Sequence, residues 1–378
     1  MKTEEFAAGT YRQQFQYKSF LPNPINQEWT WDSPEINALL AEANHWLGQL
    51  NGLAMIVPDL DLYIRMHVTK EAQSSSSIEG TQTEMDEAVQ DDQEVIAVEK
   101  RDDWREVRNY IEAMNQSVAS LEHLPLSSRL LCQAHSILLK GVRGEAKSPG
   151  EFRRSQNWIG GATLADAVFI PPHQDDVPEL MSDLEKFWHN EQIFVPDLIR
   201  IAISHYQFET IHPFLDGNGR IGRMLIVLFL IAKGLLKTPC LYISAHLEKH
   251  RSAYYDSLMA VRTRNDLNQW IRFFLVTIME TSKRGVATFE KIHYLRKEID
   301  EKLHSLGRRA VNARRIVNFL YGKPVFTSAE LSKRLKISQP TVDRILNDLI
   351  SMELVSELTG KQRYRVFYLK EYYQLFLS

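Results

Sequence analysis

The chain has 378 residues, of which 44% are hydrophobic and 25% charged, so it is large enough for two or three globular domains. Its two cysteines, Cys132 and Cys240, exclude a disulfide framework, and no Cys/His cluster has the spacing of a zinc site, so we expect a reducing, cytoplasmic location. The first residues lack the apolar core of a secretory signal and the most apolar run, 224–232, is too short to span a bilayer, so no membrane contact is expected.

The first hundred residues, 1–100, are predicted to form a helical N-terminal region. Ser33 is a good N-cap for a helix over 34–50, in which apolar residues recur on one face. An acidic stretch over 84–103 is expected to be partly helical and to face solvent.

The second region, 101–290, is predicted to form a helical core. Apolar periodicity indicates helices over the following segments: 104–116, 127–139, 177–190, 196–210, 221–236 and, at the end of the region, about 286–306. A non-helical insert, 150–172, lies among them. Within it 165–170 has β-character and ends at two prolines, which indicates a small β-hairpin or flap.

The loop before the helix over 221–236 concentrates side chains that bind anions. His212 stands at a helix exit, and Gly217 and Gly219 let the backbone approach a ligand closely. The next helix is expected to begin near Arg220, so its free N–H groups would form an anion site. Asn218 would add side-chain donors.

Charged side chains in the same loop favour phosphate chemistry. Arg220 and Arg223 are three residues apart, so they share a helix face and can hold phosphate oxygens. Asp216 can ligate Mg²⁺ together with substrate phosphates, and His212 has the pKa range of a general base. The pattern therefore predicts attack on a phosphate.

Two other interpretations of this loop stay open. It could be a helix-capping turn with surface charge. Alternatively, His205, Glu209 and His212 have i, i+4, i+7 spacing, so they share a helical face that could bind a transition metal. The HExxH order of zinc proteases is absent.

The residues of the loop also carry a family resemblance. The segment reads His212-Pro213-Phe214-Leu215-Asp216-Gly217-Asn218-Gly219-Arg220-Ile221-Gly222-Arg223 and matches HPFx(D/E)GNGRxxR at every fixed position. The chain thus resembles the Fic (Fido) family over roughly residues 10–290. The resemblance implies a mainly α, Fic-type helical core, with ATP and Mg²⁺ as partners and AMP transfer to a hydroxyl of a target protein. A minority of the family transfers other phosphate-containing groups or removes AMP.

Motif positions imply individual roles. His212 would deprotonate the target hydroxyl, and Asp216 would hold Mg²⁺. Contacts with the nucleotide phosphates would come from the rest of the motif, namely Gly217, Asn218, Gly219, Arg220, Ile221, Gly222 and, at the γ-phosphate, Arg223. Lys249 and Tyr254, with Tyr255, could line the adenosine site, although an aromatic pair at this spacing can equally belong to the core.

The serine run before Glu79 resembles the inhibitory motif of the family, (S/T)xxxE(G/N). Ser75 and Glu79 are four residues apart, hence on one face of a helix, and Gly80 follows. The resemblance implies that Glu79 pairs with Arg223 and withdraws it from the γ-phosphate. Taken alone, Glu79 could be an exposed acid at the end of a serine-rich helix.

The flap resembles the segment that pairs with an extended target in this family. Its residues are Asp166, Ala167, Val168, Phe169 and Ile170. Main-chain hydrogen bonds suffice for such pairing, so varied targets are tolerated. The alternative is that Phe169 and Ile170 only pack the insert onto the core.

The C-terminal region, 308–378, has thirteen Lys and Arg against six Asp and Glu, a formal +7 in a chain of net charge −3. Helices over 314–320, 328–335 and 339–352, followed by strands over 354–358 and 364–369, have the order of a winged helix-turn-helix. Side chains for base edges would be Gln339, Thr341, Arg344 and Asn347, and those for DNA phosphates Lys361, Arg363 and Arg365. A solvated basic surface, a protein contact or a dimerisation module is the alternative.

Three functions follow. The first is an autoinhibited protein adenylyltransferase that modifies a target protein or itself. The second is a de-AMPylase or a transferase of another phosphate-containing group. The third is a DNA-binding regulator that only senses ATP. Homodimers are common among similar proteins, and a homodimer is an open expectation here.

Overall fold

The computed structural model describes residues 1–56, 60–90, 100–358 and 365–377 and is mainly helical. It opens with a hairpin that the sequence interpretation did not include. Strands β1 (Gly9–Gln13) and β2 (Lys18–Pro22) pair antiparallel, with Tyr11 opposite Phe20. Phe20 is buried and its amide donates to Ile170 O at 2.9 Å, so the hairpin lies against the predicted flap.

Eleven helices in the described residues precede the C-terminal domain. They are α1 (Pro34–Ile56), α2 (Leu60–Ile78), α3 (Met85–Ala88), α4 (Arg101–Ser120), α5 (Ser128–Leu138), α6 (Val177–His189), α7 (Asp197–Ile211), α8 (Asn218–Ala232), α9 (Ser244–Lys249), α10 (Arg251–Arg264) and α11 (Leu267–His304). Helices α7 and α8 are buried on nearly every side, which places the loop between them in the centre of the molecule.

The helix boundaries differ from the predictions in two informative places. Helix α11 begins at Leu267, well before the expected start near 286, because its first half is also buried, through Trp270 and Phe274. Helix α8 begins at Asn218, two to three residues before the expected start at 220–221, because Gly217 already takes the left-handed conformation (φ 75°) that ends the loop. Residues 91–99 of the acidic stretch lie outside the described residues.

The C-terminal domain has the predicted helix-turn-helix with a three-stranded sheet. Its elements are α12 (Ala310–Gly322), β3 (Val325–Thr327), α13 (Ser328–Leu335), α14 (Gln339–Ser351), β4 (Val355–Glu357), β5 (Val366–Leu369) and α15 (Lys370–Gln374). The antiparallel sheet has the order β3-β5-β4. Lys336 makes the turn between α13 and α14 at φ 54°. The predicted phosphate contacts Lys361 and Arg363 lie outside the described residues.

Helix α2 is shared by both parts of the molecule. Near its start Tyr63 packs on Tyr321 of α12 and Tyr372 of α15, with ring centroids 5.2 and 6.0 Å apart. Its last turn carries the predicted inhibitory serine and ends at Ile78, one residue before Glu79. In the described part of the chain, no helix combines the length and apolar character that crossing a membrane requires.

Candidate active site

His212 is held in an unusual backbone conformation at the end of α7. It caps the helix at φ 51°, and its amide donates to Phe208 O at 2.9 Å. A left-handed residue other than glycine is uncommon and costs conformational energy. The surrounding hydrogen bonds compensate, since Arg153 Nε and Asn157 Nδ2 both donate to His212 O, at 3.0 and 3.1 Å. The backbone from which the imidazole extends is therefore held in place.

The side chain of Asn218 forms hydrogen bonds within the loop and is not directed at a phosphate position. Its Oδ1 accepts from Phe214 N and its Nδ2 donates to Phe214 O, both at 2.8 Å, and the residue is buried. The expectation that Asn218 supplies side-chain donors to a phosphate is wrong for this conformation. Its amide, at the start of α8, is the group that can face an anion.

The start of α8 has the backbone arrangement that the predicted anion site requires. The first helical hydrogen bond runs from Ile221 N to Gly217 O at 3.0 Å, so the amides of 218–220 precede the helical ladder. Ile221 is buried and its amide is used in that bond. Gly222 faces Glu209, where no side chain would fit. Neither Ile221 nor Gly222 contacts the cavity, contrary to the expectation from the motif.

Arg220 is buried away from the cavity. Its NH1 lies 2.9 Å from Glu106 Oε2 of α4, and its NH2 lies 3.5 Å from Asp216 Oδ1. Glu106 is itself buried. The two arginines of the motif therefore do not both face a phosphate in this conformation, because a carboxylate that the motif does not include holds Arg220.

Arg223 is hydrogen-bonded to the last turn of α2 and ion-paired with Glu79, which follows it. Its Nε donates to Ser75 Oγ and its NH2 to Ser75 O, both at 2.9 Å, and NH2 also lies 2.7 Å from Glu79 Oε1. The Glu79 carboxylate lies so close to Gly219 that a side chain there would collide with it. Gly80 follows at φ 99° and ends the helix. The predicted pairing of Glu79 with Arg223 is present in the structure.

The charges at this contact reinforce each other. Burial alone would raise the pKa of Glu79, but the charge and hydrogen bond of Arg223, with the charge of Arg220, more than offset it, so the pKa lies below its ordinary value of 4.5. Burial would lower the pKa of Arg223, yet Glu79 raises it above its ordinary value. Both side chains are therefore charged at neutral pH.

His212 is neutral at physiological pH. Burial lowers its pKa to about 3, and the positive charges of Arg262 and Arg153 act in the same direction. A neutral imidazole has a nitrogen lone pair that can accept a proton. The ring lines the cavity with 19% of its side chain exposed, so a substrate can reach it.

The alternative metal site is not formed. His205 uses both ring nitrogens, Nδ1 at 2.9 Å from Gly222 O and Nε2 at 2.8 Å from the Tyr254 hydroxyl. Burial raises the pKa of Glu209 to about 7. Among the residues that the structure describes, no group of three His, Cys, Asp or Glu side chains could hold a metal ion.

Asp216 can hold a cation together with a ligand. Its Oδ1 accepts from Gly217 N at 2.6 Å, and 31% of its side chain is exposed to the cavity. Its Oδ2 lies beside Gly144, where a side chain would crowd it. One carboxylate with room for water and phosphate oxygens suits Mg²⁺, which needs few protein ligands.

The cavity has a volume of about 570 Å³ and brings the predicted polar groups together in its lining. They are His212, Asp216, Gly217, Asn218, Gly219 and Arg223. Buried Tyr254 and the partly exposed Tyr255 also line this cavity, where an adenine ring could stack. Lys249 is exposed and lies outside this lining, so the structure does not support it as a nucleotide contact.

The flap borders the same cavity, but it is not a regular hairpin. A short 3-10 turn, Leu164–Asp166, is closed by Asp166, which accepts from the Thr163 amide at 2.6 Å, and Ala167 continues in extended conformation. A single antiparallel bridge then joins Phe169 to Ile159. Val168 is 67% exposed, which leaves part of the flap accessible to a target.

Four residues that hold the motif residues His212, Asp216 and Arg220 were not predicted from the sequence. His135 Nε2 donates to Asp216 O at 3.0 Å, because its Nδ1 accepts from Gly150 N. Glu106, Arg153 and Asn157 hold Arg220 and the turn at His212. Each comes from a distant segment and carries no local motif, so only the burial of a charged or polar side chain marks it.

Comparisons with known proteins identify the domains of the chain. The "Fic/DOC family N-terminal" model matches residues 37–119, "Fic/DOC family" matches 125–230, and "Bacterial regulatory protein, arsR family" matches 311–357. A crystal structure of a Fic family protein from Desulfovibrio desulfuricans has a TM-score of 0.60 at 24% identity, covering 91% of this chain and 98% of that chain. This likeness shows the fold.

Curated relatives match a third of the chain. "Protein adenylyltransferase Fic" of Culex quinquefasciatus is 38% identical over 125 residues, and that of Aedes aegypti is 36% identical over 125 residues. In both cases the match covers 33% of this chain and only 22% of the relative, so the chain spans about a fifth of their length. The chain therefore belongs to the Fic/DOC family, with an arsR-type helix-turn-helix domain after its Fic domain.

Proposed function

We propose that this protein transfers the AMP moiety of ATP to a hydroxyl side chain of a target protein or of itself, and that Glu79 restrains the reaction. The observation that carries the proposal is the Glu79–Arg223 ion pair of 2.7 Å, which lies against the start of α8 in the cavity that also exposes His212. The relatives named as protein adenylyltransferases support the same reaction class.

The proposed reaction needs a base, a phosphate site and a cation. Neutral His212 takes the proton of the target hydroxyl, whose oxygen forms a bond to the α-phosphorus while the bond to pyrophosphate breaks. The amides at the start of α8 and the helix dipole stabilise the phosphate charge. Asp216 would hold Mg²⁺, which neutralises charge on the phosphates when bound.

The proposed restraint is competition for one arginine and one anion site. Glu79 is an anion that already occupies the guanidinium of Arg223 and the space beside Gly219. A γ-phosphate would have to displace this carboxylate or bind in another position. ATP would therefore bind with its α-phosphate out of line with the attacking hydroxyl.

The test is incorporation of labelled AMP. Glu79→Gly is incubated with each labelled nucleoside triphosphate and Mg²⁺, and mass spectrometry determines the added group. A mass increase equal to one AMP, lost in Glu79→Gly/His212→Ala, supports the proposal. Removal of AMP from a modified protein, or an added group other than AMP, would favour the second function of this site instead.

A second function is DNA binding by the C-terminal domain, favoured by its match to the arsR family. Arg344 and Asn347 are exposed on α14. Gln339 is bonded to Ser328 Oγ at 2.9 Å, and Thr341 is half-buried, so both are less available than expected. A gel shift whose affinity falls steeply with salt would support this function, and no shift at low salt would leave the domain as a protein contact.

A further inference from the structure

Arg262 is a buried cation in the wall of the cavity. It lies in the last turn of α10, is 7% exposed, and lines the cavity beside His212. Within the described residues no carboxylate forms an ion pair with it. A buried charge without a counter-ion is costly unless hydrogen bonds compensate. The contacts of this guanidinium therefore indicate what it stabilises.

The guanidinium binds two different segments at once. On one side Nε donates to Thr210 Oγ1 at 3.1 Å and NH2 donates to Glu209 O at 2.9 Å, both in the last turn of α7. On the other side its central carbon lies 4.1 Å from the ring centroid of Phe169, the buried residue of the flap. Arg262 therefore joins the end of α7 to the flap.

We propose that Arg262 is a positioning residue that fixes the flap to the end of α7, so that a target segment on the flap keeps one position relative to His212. This inference rests on the proposed function, since transfer to a protein hydroxyl requires that the flap and the imidazole keep a fixed distance and orientation. A target that pairs with the main chain of the flap moves with the flap. Its hydroxyl can therefore be positioned accurately only if the flap is itself held in one position.

The charge of Arg262 has a second effect at His212. The charged groups that face this imidazole are Arg262 of α10, Arg153 of the insert and Glu79 after α2, with the Glu209 carboxylate at 4.0 Å on its own helix. After burial, Arg262 is the largest influence that lowers the pKa of His212. Loss of this cation raises that pKa, because the imidazolium then has one positive neighbour fewer.

The first test measures the flap without using activity. Hydrogen exchange of residues 158–170 is compared in the wild type, Arg262→Gln and Arg262→Lys. Arg262→Gln is expected to speed exchange of the bridge amides of Ile159 and Phe169 about tenfold or more, because both anchors are lost. Arg262→Lys should show a smaller increase in exchange than Arg262→Gln, because it keeps the positive charge. It should still exceed the wild type, since an ammonium group cannot bond both α7 acceptors and cover the ring.

The matched control is Arg200→Gln. Arg200 is also buried, bonds the carbonyls of Phe187, Asn190 and Ile193, and has its guanidinium carbon 5.0 Å from the Phe187 ring, outside the cavity. This variant should leave flap exchange unchanged. Equal flap exchange in Arg262→Gln and the wild type, or an equal increase in Arg200→Gln, would overturn the proposal. If Arg262→Gln fails to fold, Arg262→Lys against Arg200→Lys carries the same comparison.

The second test separates position from charge. The pKa of the His212 imidazole, followed by NMR with labelled histidine and assigned with a His212 variant, should rise in Arg262→Gln and stay near the wild-type value in Arg262→Lys. An unchanged pKa in Arg262→Gln would overturn the electrostatic role. If Glu79→Gly transfers no AMP at all, the proposed function fails, while flap exchange still decides the role of Arg262.

Discussion

The loop at residues 212–223 and the C-terminal domain both contain arginines, but the arginines of the two regions differ in burial and in their ion-pair partners. In the loop, Arg220 and Arg223 are each 1% exposed. Arg220 pairs with Glu106 of α4 and with the nearby Asp216, and Arg223 pairs with Glu79, which follows α2. In the C-terminal domain, Arg309 and Arg365 are nearly half exposed and pair within the domain.

The contrast has an energetic meaning. A buried ion pair is tolerated only with well-placed partners, and removing one partner leaves a buried charge. An exposed pair contributes about 0–1 kcal/mol and is screened by salt. The charges of the loop therefore have fixed partners, whereas the surface charges of the C-terminal domain can exchange partners at little cost.

The largest expected effect is at His212, in the buried region. In a Glu79→Gly background, His212→Ala should lower AMP incorporation about 10³-fold, because a positioned base is lost. ATP affinity, measured by calorimetry, should change little, since the amides of α8 remain. A variant without the imidazole that still modifies itself at the starting rate would contradict the assignment of the base.

Release of Arg223 is expected to have the next largest effect. Glu79→Gly should raise AMP incorporation by about ten- to a hundredfold, the usual range for coupling between two ligands of one site. Glu79→Gln is the matched control, because it keeps the shape but loses the charge that pairs with Arg223, and it should give a smaller increase. Equal activity of the wild type and both variants would show that this contact is not a restraint.

A buried contact between α2 and the C-terminal domain can be compared with an exposed ion pair inside that domain. Tyr321 is 2% exposed and packs on Tyr63 and Tyr372, so Tyr321→Ala should lower the free energy of unfolding by about 3–5 kcal/mol. Arg365→Ala removes an exposed pair and should lower it by less than about 1 kcal/mol. Urea denaturation measures both, and equal effects would remove the distinction between the two kinds of contact.

A pH titration tests the Glu79–Arg223 pair in solution. The folded-state pKa of Glu79 is lowered, so its contribution to stability is present above the unfolded value near 4.5 and is lost as the pH falls through the folded value. The difference in unfolding free energy between the wild type and Glu79→Gln should therefore be constant at neutral pH and shrink below about pH 4.5. A difference that grows in acid would mean that the carboxyl is protonated in the fold.

Local patterns predicted the positions of the motif well, because glycine, a helix exit and a helix start are properties of neighbouring residues. The helix over 328–335 was placed correctly for the same reason, since Thr327 caps it by accepting from Glu330 N. Local patterns could not show that Asn218 bonds Phe214, that Glu106 holds Arg220, or that a hairpin before α1 contacts the flap. Those features depend on which distant segments meet, and a buried polar side chain takes whichever partner the fold brings to it.

The smallest expected effect concerns Arg344 on the exposed face of α14. If this helix reads DNA base edges, Arg344→Ala should weaken specific binding by about 1–3 kcal/mol and relax the sequence preference, because one base contact is lost. Exposed Arg264 on α10, in the Fic domain, supplies the control, since Arg264→Ala removes the same charge away from the helix-turn-helix. Equal losses in the two variants would mean that DNA is attracted by overall charge and not held by α14. A loss confined to Arg344 would show that an exposed arginine on α14 serves a ligand, in contrast to the arginines of the loop, which are buried and paired with carboxylates.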